Sequence, residues 1–172
     1  MFVVDCGYKW PIVEKTGFIM NGFYGNHPLI VDDKSRMKLP AKFRVVFEAQ
    51  YPDELTEIVV TLSLNGVIAV FPRSEYDKYL QELTNESQRE LHTRKLLTAI
   101  EGCTSFEKID KQNRVRLDPT LCRLAGITKD IYVIGRKTHM EIWDRKKWEE
   151  FLESTIPDIS STADMSYRST KM

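Results

Sequence analysis

The chain repeats itself. Val31-Asp32-Asp33-Lys34-Ser35-Arg36-Met37-Lys38-Leu39-Pro40 returns as Ile109-Asp110-Lys111-Gln112-Asn113-Arg114-Val115-Arg116-Leu117-Asp118. Each copy is an aliphatic residue, then Asp-x-x-x-Arg, then an apolar–basic–Leu strand running into a proline-marked helix start. Such a duplication constrains the fold before local propensity does, because both copies must build the same supersecondary unit. The charged turn is kept while the residues around it drift.

In the first copy, Pro28 to Val31 reads as a short strand, Asp32 to Ser35 as a turn and Met37 to Leu39 as the returning strand. Pro40 suits the first helical position, where its missing N–H is not needed. Phe43, Val46 and Phe47 follow at i, i+3, i+4, the spacing of a short amphipathic helix. Glu57 to Ser63 and Val67 to Phe71 are β-branched runs around Leu64-Asn65-Gly66, and Asn-Gly in that setting predicts a hairpin. Ser74-Glu75-Tyr76-Asp77 reads as a helix cap, with Tyr76, Tyr79, Leu80 and Leu83 on one face. A polar helix from about Glu86 to Ile100 links the halves.

The second copy retraces this order. Phe106 to Ile109 and Val115 to Leu117 flank the turn, and Asp118-Pro119 starts a helix with Leu121, Leu124 and Ala125 inward. Gly126 is placed to close that helix. Ile131 to Ile134 and Met140 to Trp143 form the second hairpin, and Asp144 caps a last helix bearing Trp148, Phe151 and Leu152. The expected division is an arm at 1–19, module 1 at 26–73, a helical linker at 74–102, module 2 at 103–146, a terminal helix at 147–156 and a disordered tail at 157–172. The arm matches neither period and has no counterpart in the second copy; it reads as disordered or as a start assigned too early.

Half a chain of about fifty residues, with four short strands and one-sided helices, buries too little alone. The halves are therefore expected to interleave their strands in one pseudo-twofold core. Tyr76, Tyr79, Trp143 and Trp148 fit either that core or a contact between subunits.

Composition narrows the function. The 172 residues carry 25 basic and 25 acidic side chains, a formal net charge of zero, so overall positive charge is not what would bring this chain to nucleic acid. The distribution says otherwise: Lys34, Arg36, Lys38, Lys42 and Arg44 lie in an acid-free stretch, and Lys108, Lys111, Arg114, Arg116 and Arg123 are diluted only by Asp110 and Asp118. Cys6, Cys103 and Cys122 are an odd number without Cys-x-x-Cys spacing, which suggests reduced thiols in a cytosolic protein rather than a disulfide frame or zinc site. No segment is apolar for long enough to span a membrane, and the first twenty residues lack a signal peptide's apolar middle.

The turn itself suggests a chemistry. Arg is a planar five-donor fork that can grip guanine O6 and N7 in the major groove, and an Asp four residues back can steady that fork. Lys34 and Lys38, or Lys111 and Arg116, suit phosphates, where they position without reading sequence. A two-stranded β element fits a major groove. A single Asp–Arg pair would more simply staple its turn; two at matching places, each followed by further cations, favour DNA.

At this point the chain resembles a known family. Phe23-Tyr24-Gly25-Asn26, the Asp32–Arg36 turn and Leu39-Pro40-Ala41-Lys42-Phe43-Arg44 look like the start of the MraZ family. The Asp110–Arg114 turn, Leu121-Cys122-Arg123-Leu124-Ala125-Gly126 and Glu141-Ile142-Trp143-Asp144 with Trp148 extend the likeness to about residues 20–155. The resemblance implies an α+β fold of tandem swapped-hairpin, SpoVT/AbrB-like modules forming a pseudo-twofold barrel with short amphipathic helices. It further implies a cytoplasmic, nucleoid-associated transcriptional regulator, usually a repressor, of the division and cell-wall gene cluster. Such proteins form closed homo-oligomeric rings and bind G-rich direct repeats in double-stranded DNA, with no cofactor or metal. The functional residues carry over as Asp32 and Arg36, and Asp110 and Arg114. The family usually has Gly before the Arg; here Ser35 and Asn113 stand there, and Asn tolerates left-handed backbone better than Ser. Cys122 stands where the first copy has Arg44, and Asp118 where it has Pro40.

Two other classes compete. His27, His92 and His139 are scattered, and no His-x-x-x-His, Gly-x-Ser-x-Gly or phosphate-cradling glycine loop is present, which disfavours an enzyme. An antitoxin-like or structural module would use the same fold to hold a protein partner, normally with a longer tail than the residues after Ile156.

Overall fold

The strand that follows each charged turn barely pairs with the strand before it; it pairs with its own duplicate. In the computed structural model, which describes residues 21–87 and 91–156 (side chains 86–93 excepted), β1 (Asn26–Ile30) and β2 (Arg36–Lys38) share a single bridge, Val31 to Met37. β2 instead runs antiparallel to β6 (Arg114–Arg116), setting Arg36 opposite Arg116, Met37 opposite Val115 and Lys38 opposite Arg114. Backbone bonds prolong this ribbon at both ends, from Leu39 N–H to the Asn113 carbonyl (2.9 Å) and from Leu117 N–H to the Ser35 carbonyl (2.7 Å).

The exchange continues in an antiparallel six-stranded sheet of order β1-β7-β8-β4-β3-β5. The hairpin β3 (Ile58–Leu62) and β4 (Ile68–Pro72) takes β5 (Ser105–Glu107) from the second copy. The hairpin β7 (Asp130–Gly135) and β8 (Met140–Asp144) takes β1 from the first, and β4 pairs with β8 at the centre. Among the described residues five α-helices complete the fold: α1 (Ala41–Gln50), α2 (Arg73–Ser87), α3 (Leu91–Gly102), α4 (Pro119–Ala125) and α5 (145–156).

Strand alternation sorts the apolar residues. Ile68, Val70, Met140 and Ile142 face the main core, where they meet the ribbon's Met37 and Val115, with Leu39 and Leu117, and Phe43, Val46, Phe47 and Leu121 of α1 and α4. Phe23 sits there fully buried, its ring 5.5 Å from Phe43 and 5.1 Å from Phe47. The intervening residues turn to the other face, where Tyr76 of α2 covers Val59, Ala69 and Phe71, and Trp148 of α5 packs with Val67, Ile134 and Trp143. Glu141, 4% exposed on that face, accepts from Trp143 Nε1 at 3.0 Å. Burial opposes its ionisation, but hydrogen bonds from His139 and Trp143 and the charge of Arg136 outweigh it and hold the carboxyl below its usual range.

Several expectations need correction. The sheet does not close into a barrel: β1 and β5 are its edges, because β2 and β6 spend their backbone groups on each other. Pro40 is the N-cap of α1 rather than its first residue, its carbonyl accepting from Phe43 and Arg44. Ser74 does not cap α2, which begins at Arg73; the Ser74 N–H is taken by Glu54 Oε2 at 3.1 Å from the loop before β3. The two linker helices are present, but the boundary falls later than expected, α2 running to Ser87 and α3 from Leu91 to Gly102 rather than from about Glu86 to Ile100. Leu124 is 49% exposed, outside the inward stripe of α4. Of the aromatics that fitted either the core or a subunit contact, Tyr76 and Trp143 are buried within the chain, as the core reading expects. Asp118 and Gly126 do cap α4, by side-chain bonds to Thr120 and Leu121 N–H and by a φ of 68°. The arm at 1–19 and the tail at 157–172 lie outside the described residues. No helix among the described residues is long and apolar enough to cross a membrane.

Gly135 marks where the entering chain presses on β7. A Cβ there would stand 2.4 Å from the Phe23 carbonyl carbon and the Tyr24 nitrogen, both backbone, whereas one at Gly102 meets nothing within 4 Å. Gly135→Ala is expected to destabilise the protein by about 1–3 kcal/mol or more, and Gly102→Ala by under about 0.5 kcal/mol, read as shifts in the urea midpoint at unchanged m.

Candidate nucleic-acid interface

Each turn is built by its aspartate. Asp32 Oδ1 accepts from the backbone N–H of Lys34 (2.9 Å) and Arg36 (3.0 Å), and Asp110 Oδ1 from Gln112 (2.8 Å) and Arg114 (2.9 Å). Satisfying both donors from one oxygen requires a sharp reversal, and the residue before each Arg adopts left-handed backbone, φ 54° at Ser35 and 60° at Asn113. The second oxygen then faces the arginine. Asp32 Oδ2 accepts from Arg36 Nε (2.9 Å) and Nη2 (2.7 Å); Asp110 Oδ2 accepts from Arg114 Nε (2.8 Å) and forms an ion pair with its Nη2 (2.8 Å).

A guanidinium has five N–H donors. The aspartate engages Nε–H and one Nη2–H, along one edge. One Nη1 hydrogen and the second Nη2 hydrogen remain side by side on the outer edge, the fork that matches guanine O6 and N7. Arg36 and Arg114 keep 28% and 27% of their side-chain surface exposed, enough to present that edge. Hydrogen bonds from the Arg36 side chain pull the Asp32 carboxyl down to about 2, against opposing burial and with help from the two backbone donors. Reciprocally, Asp32 raises the Arg36 value, with Asp110 adding to it from across the ribbon. Burial works against ionisation of Asp110, but the Arg114 side chain and the backbone donors prevail and lower it.

Register then brings the two turns together. Met37 and Val115 point into the core, so Arg36, Lys38, Arg114 and Arg116 share the opposite face, in two directly opposed basic pairs. Along a strand the pairs lie roughly 7 Å apart, so the whole patch fits a major groove about 12 Å wide. Lys38 and Arg116 are exposed beside the two arginines, and Lys34 and Lys111 at the turn tips. Like charges directly opposed cost stability in a sheet, so this face is poorly suited to solvent alone and well suited to a polyanion.

Comparison with known proteins decides the family. The family described as "MraZ protein, putative antitoxin-like" matches residues 23–99 and 102–168. The chain belongs to the MraZ family. A relative from Mycolicibacterium smegmatis (strain ATCC 700084 / mc(2)155) is 31% identical over 146 residues, covering 85% of this chain and 97% of the relative. One from Mycobacterium ulcerans (strain Agy99) is 32% identical over 142 residues, 83% of this chain and 94% of the relative, and one from Mycobacterium leprae (strain Br4923) is 32% identical over 143 residues with the same coverage. Each is named "Transcriptional regulator MraZ". The family is one of regulators, not enzymes.

All eight residues singled out in the sequence of this MraZ-family chain fall on one ribbon and its two turns. Two features of the site were not legible there. Asn113 Nδ2 donates to the Leu39 carbonyl at 3.0 Å, tying the second turn to the opposite strand; an Asn in a position that favours Gly was the available signal. Arg44 lines an open cleft with Asp110, Lys111 and Asn113, although it belongs to the other copy. Among the described residues, no cluster of His, Cys, Asp and Glu could hold a metal ion.

Since the Asp32 carboxyl lies at about 2 when folded and near 3.9 in an unfolded chain, its pairing contributes fully above about pH 4 and fades as pH falls toward 2. A carboxyl-carbon NMR titration should place the Asp32 midpoint near 2, and Arg36→Ala should return it toward the unfolded value.

Proposed function

We propose that the chain is a sequence-specific DNA-binding repressor that reads G-rich direct repeats upstream of the division and cell-wall gene cluster. Arg36 and Arg114 are its base readers. Asp32 and Asp110 orient them, and Lys34, Lys38, Lys111 and Arg116 engage phosphates. The observation that carries this reading is the single outward face on which both carboxylate-braced arginines stand between further cations. In this reading the two copies are SpoVT/AbrB-like modules at 26–73 and 103–146, joined by the helices of 74–102, and the protein works in the cytoplasm on the nucleoid.

One ribbon spans few base pairs and is expected to bind weakly, because most affinity comes from phosphate neutralisation and falls with salt. A homo-oligomeric ring would present several ribbons to repeated sites, and linked engagement can raise avidity by about 10²–10⁴ without any new contact. An antitoxin-like role, which the family's description also names, would place a protein partner on this fold; the outward cations weigh toward DNA.

Arg36→Ala should lose about 1–3 kcal/mol per engaged site and relax base preference, while Lys34→Ala should weaken all sequences alike and flatten the salt dependence. Mobility-shift titrations on duplexes with G-rich repeats test both, and unchanged binding by both variants would defeat the assignment. Light scattering at micromolar concentration should give a mass of several chains; monomers would remove the multivalent mechanism.

A further inference from the structure

The two turns are duplicates in sequence, but they are not held alike. Asn113 and Ser35 occupy matching left-handed positions, φ 60° and 54°, which Asn adopts more readily than Ser. Asn113 is joined to Leu39 twice: its carbonyl accepts from Leu39 N–H at 2.9 Å, and its Nδ2 donates to the Leu39 carbonyl at 3.0 Å. Ser35 has only the first of these bonds, from Leu117 N–H at 2.7 Å. Among the described residues its hydroxyl has no hydrogen-bond partner. The backbone that aims Arg114 is therefore better fixed than the backbone that aims Arg36.

Charge is unequal in the same direction. The tip of the first turn is Asp33-Lys34 and that of the second is Lys111-Gln112, so only the second is net positive. Asp118 follows Arg116 closely in sequence, where the first copy has Pro40 after Lys38. The end of the ribbon holding Lys38 and Arg114 thus meets DNA with more uncompensated charge than the end holding Arg36 and Arg116.

A head with true twofold symmetry would read a site equally well in either orientation. We infer that this one docks with a direction: Arg114 is the dominant reader, Arg36 the weaker one, and Asn113 is the positioning residue that sets the difference. The inference rests on the DNA-reading role proposed above and goes beyond it, since that role treats the two arginines as equals.

Selection of binding sites from random duplex DNA, followed by titration on the selected sequence, tests this on the full chain and on R36A, R114A, N113S and S35N. R114A should weaken binding by about fiftyfold or more and R36A by about fivefold, losses within the range of one arginine–guanine contact, each erasing preference at a different base position. N113S should blur only the position that R114A erases, without altering the salt dependence, which reports phosphate contacts. S35N should sharpen the position that R36A erases. Equal losses in R36A and R114A, or a larger loss in R36A, overturn the direction while DNA reading stands; no loss in either defeats the reading itself. Should N113S melt without cooperativity, S35N decides, and no sharpening there overturns the positioning role.

Discussion

Met37 and Val115 oppose one another, both fully buried, in a ladder only three residues long on each strand. So short a pair would not persist in water by itself. It persists because its underside is core, packed with Leu39, Leu117, Phe43 and Leu121. Once those two apolar side chains are committed inward, strand alternation leaves Arg36, Lys38, Arg114 and Arg116 no other place than the outer face. A slip of one residue in either strand would bury its two cations and expose Met37 or Val115, so the register that completes the core also sets the cationic face.

The same economy holds at the turns. One aspartate oxygen satisfies two backbone donors and so shapes the reversal; the other braces the arginine that follows. The left-handed residue between them is the conformational expense, and it is small for Asn and larger for Ser. In return the guanidinium is already oriented before any ligand arrives, which lowers the ordering cost of binding. If the forks read DNA as proposed, local folding and recognition are the same set of hydrogen bonds, and the acid-sensitive Asp32 pair belongs to both.

Much of this was visible in the residues. The duplication announced two equal units, the β-branched runs around Asn65-Gly66 gave the first hairpin, and the small size of each half required that they share strands. Asp118, Gly126 and Asp144 marked helix ends that the structure retains, the last through Asp144 Oδ1 accepting from Lys146 N–H. What could not be read depends on distant partners. The Ser74 N–H is claimed by Glu54, which lies in another segment, so the local capping pattern lost to a tertiary bond. The open sheet follows from β2 and β6 satisfying each other, a choice that periodicity cannot express. Leu124 matches a helical stripe, but α4 is too short to bury more than Leu121 and Ala125 fully. The bond from Asn113 to Leu39 joins the two copies, and no spacing within either could reveal it.

A net charge of zero shapes how such a face can work. Long-range attraction to DNA scales with overall charge and is screened within about 8 Å at physiological salt, so a neutral chain gains little guidance at a distance. In the proposed docking its cations would act once the ribbon is at the groove, and acids elsewhere on the surface would not oppose them beyond that screening length. If Arg36 and Arg114 read bases as proposed, one consequence is discrimination: a protein that is not drawn strongly to every phosphate would owe a larger share of its affinity to those braced forks. The other is dependence on number. On the proposed reading, with the electrostatic contribution confined to one small face, tight binding would require several such faces on one duplex, and repeated sites are the form of DNA that would supply them.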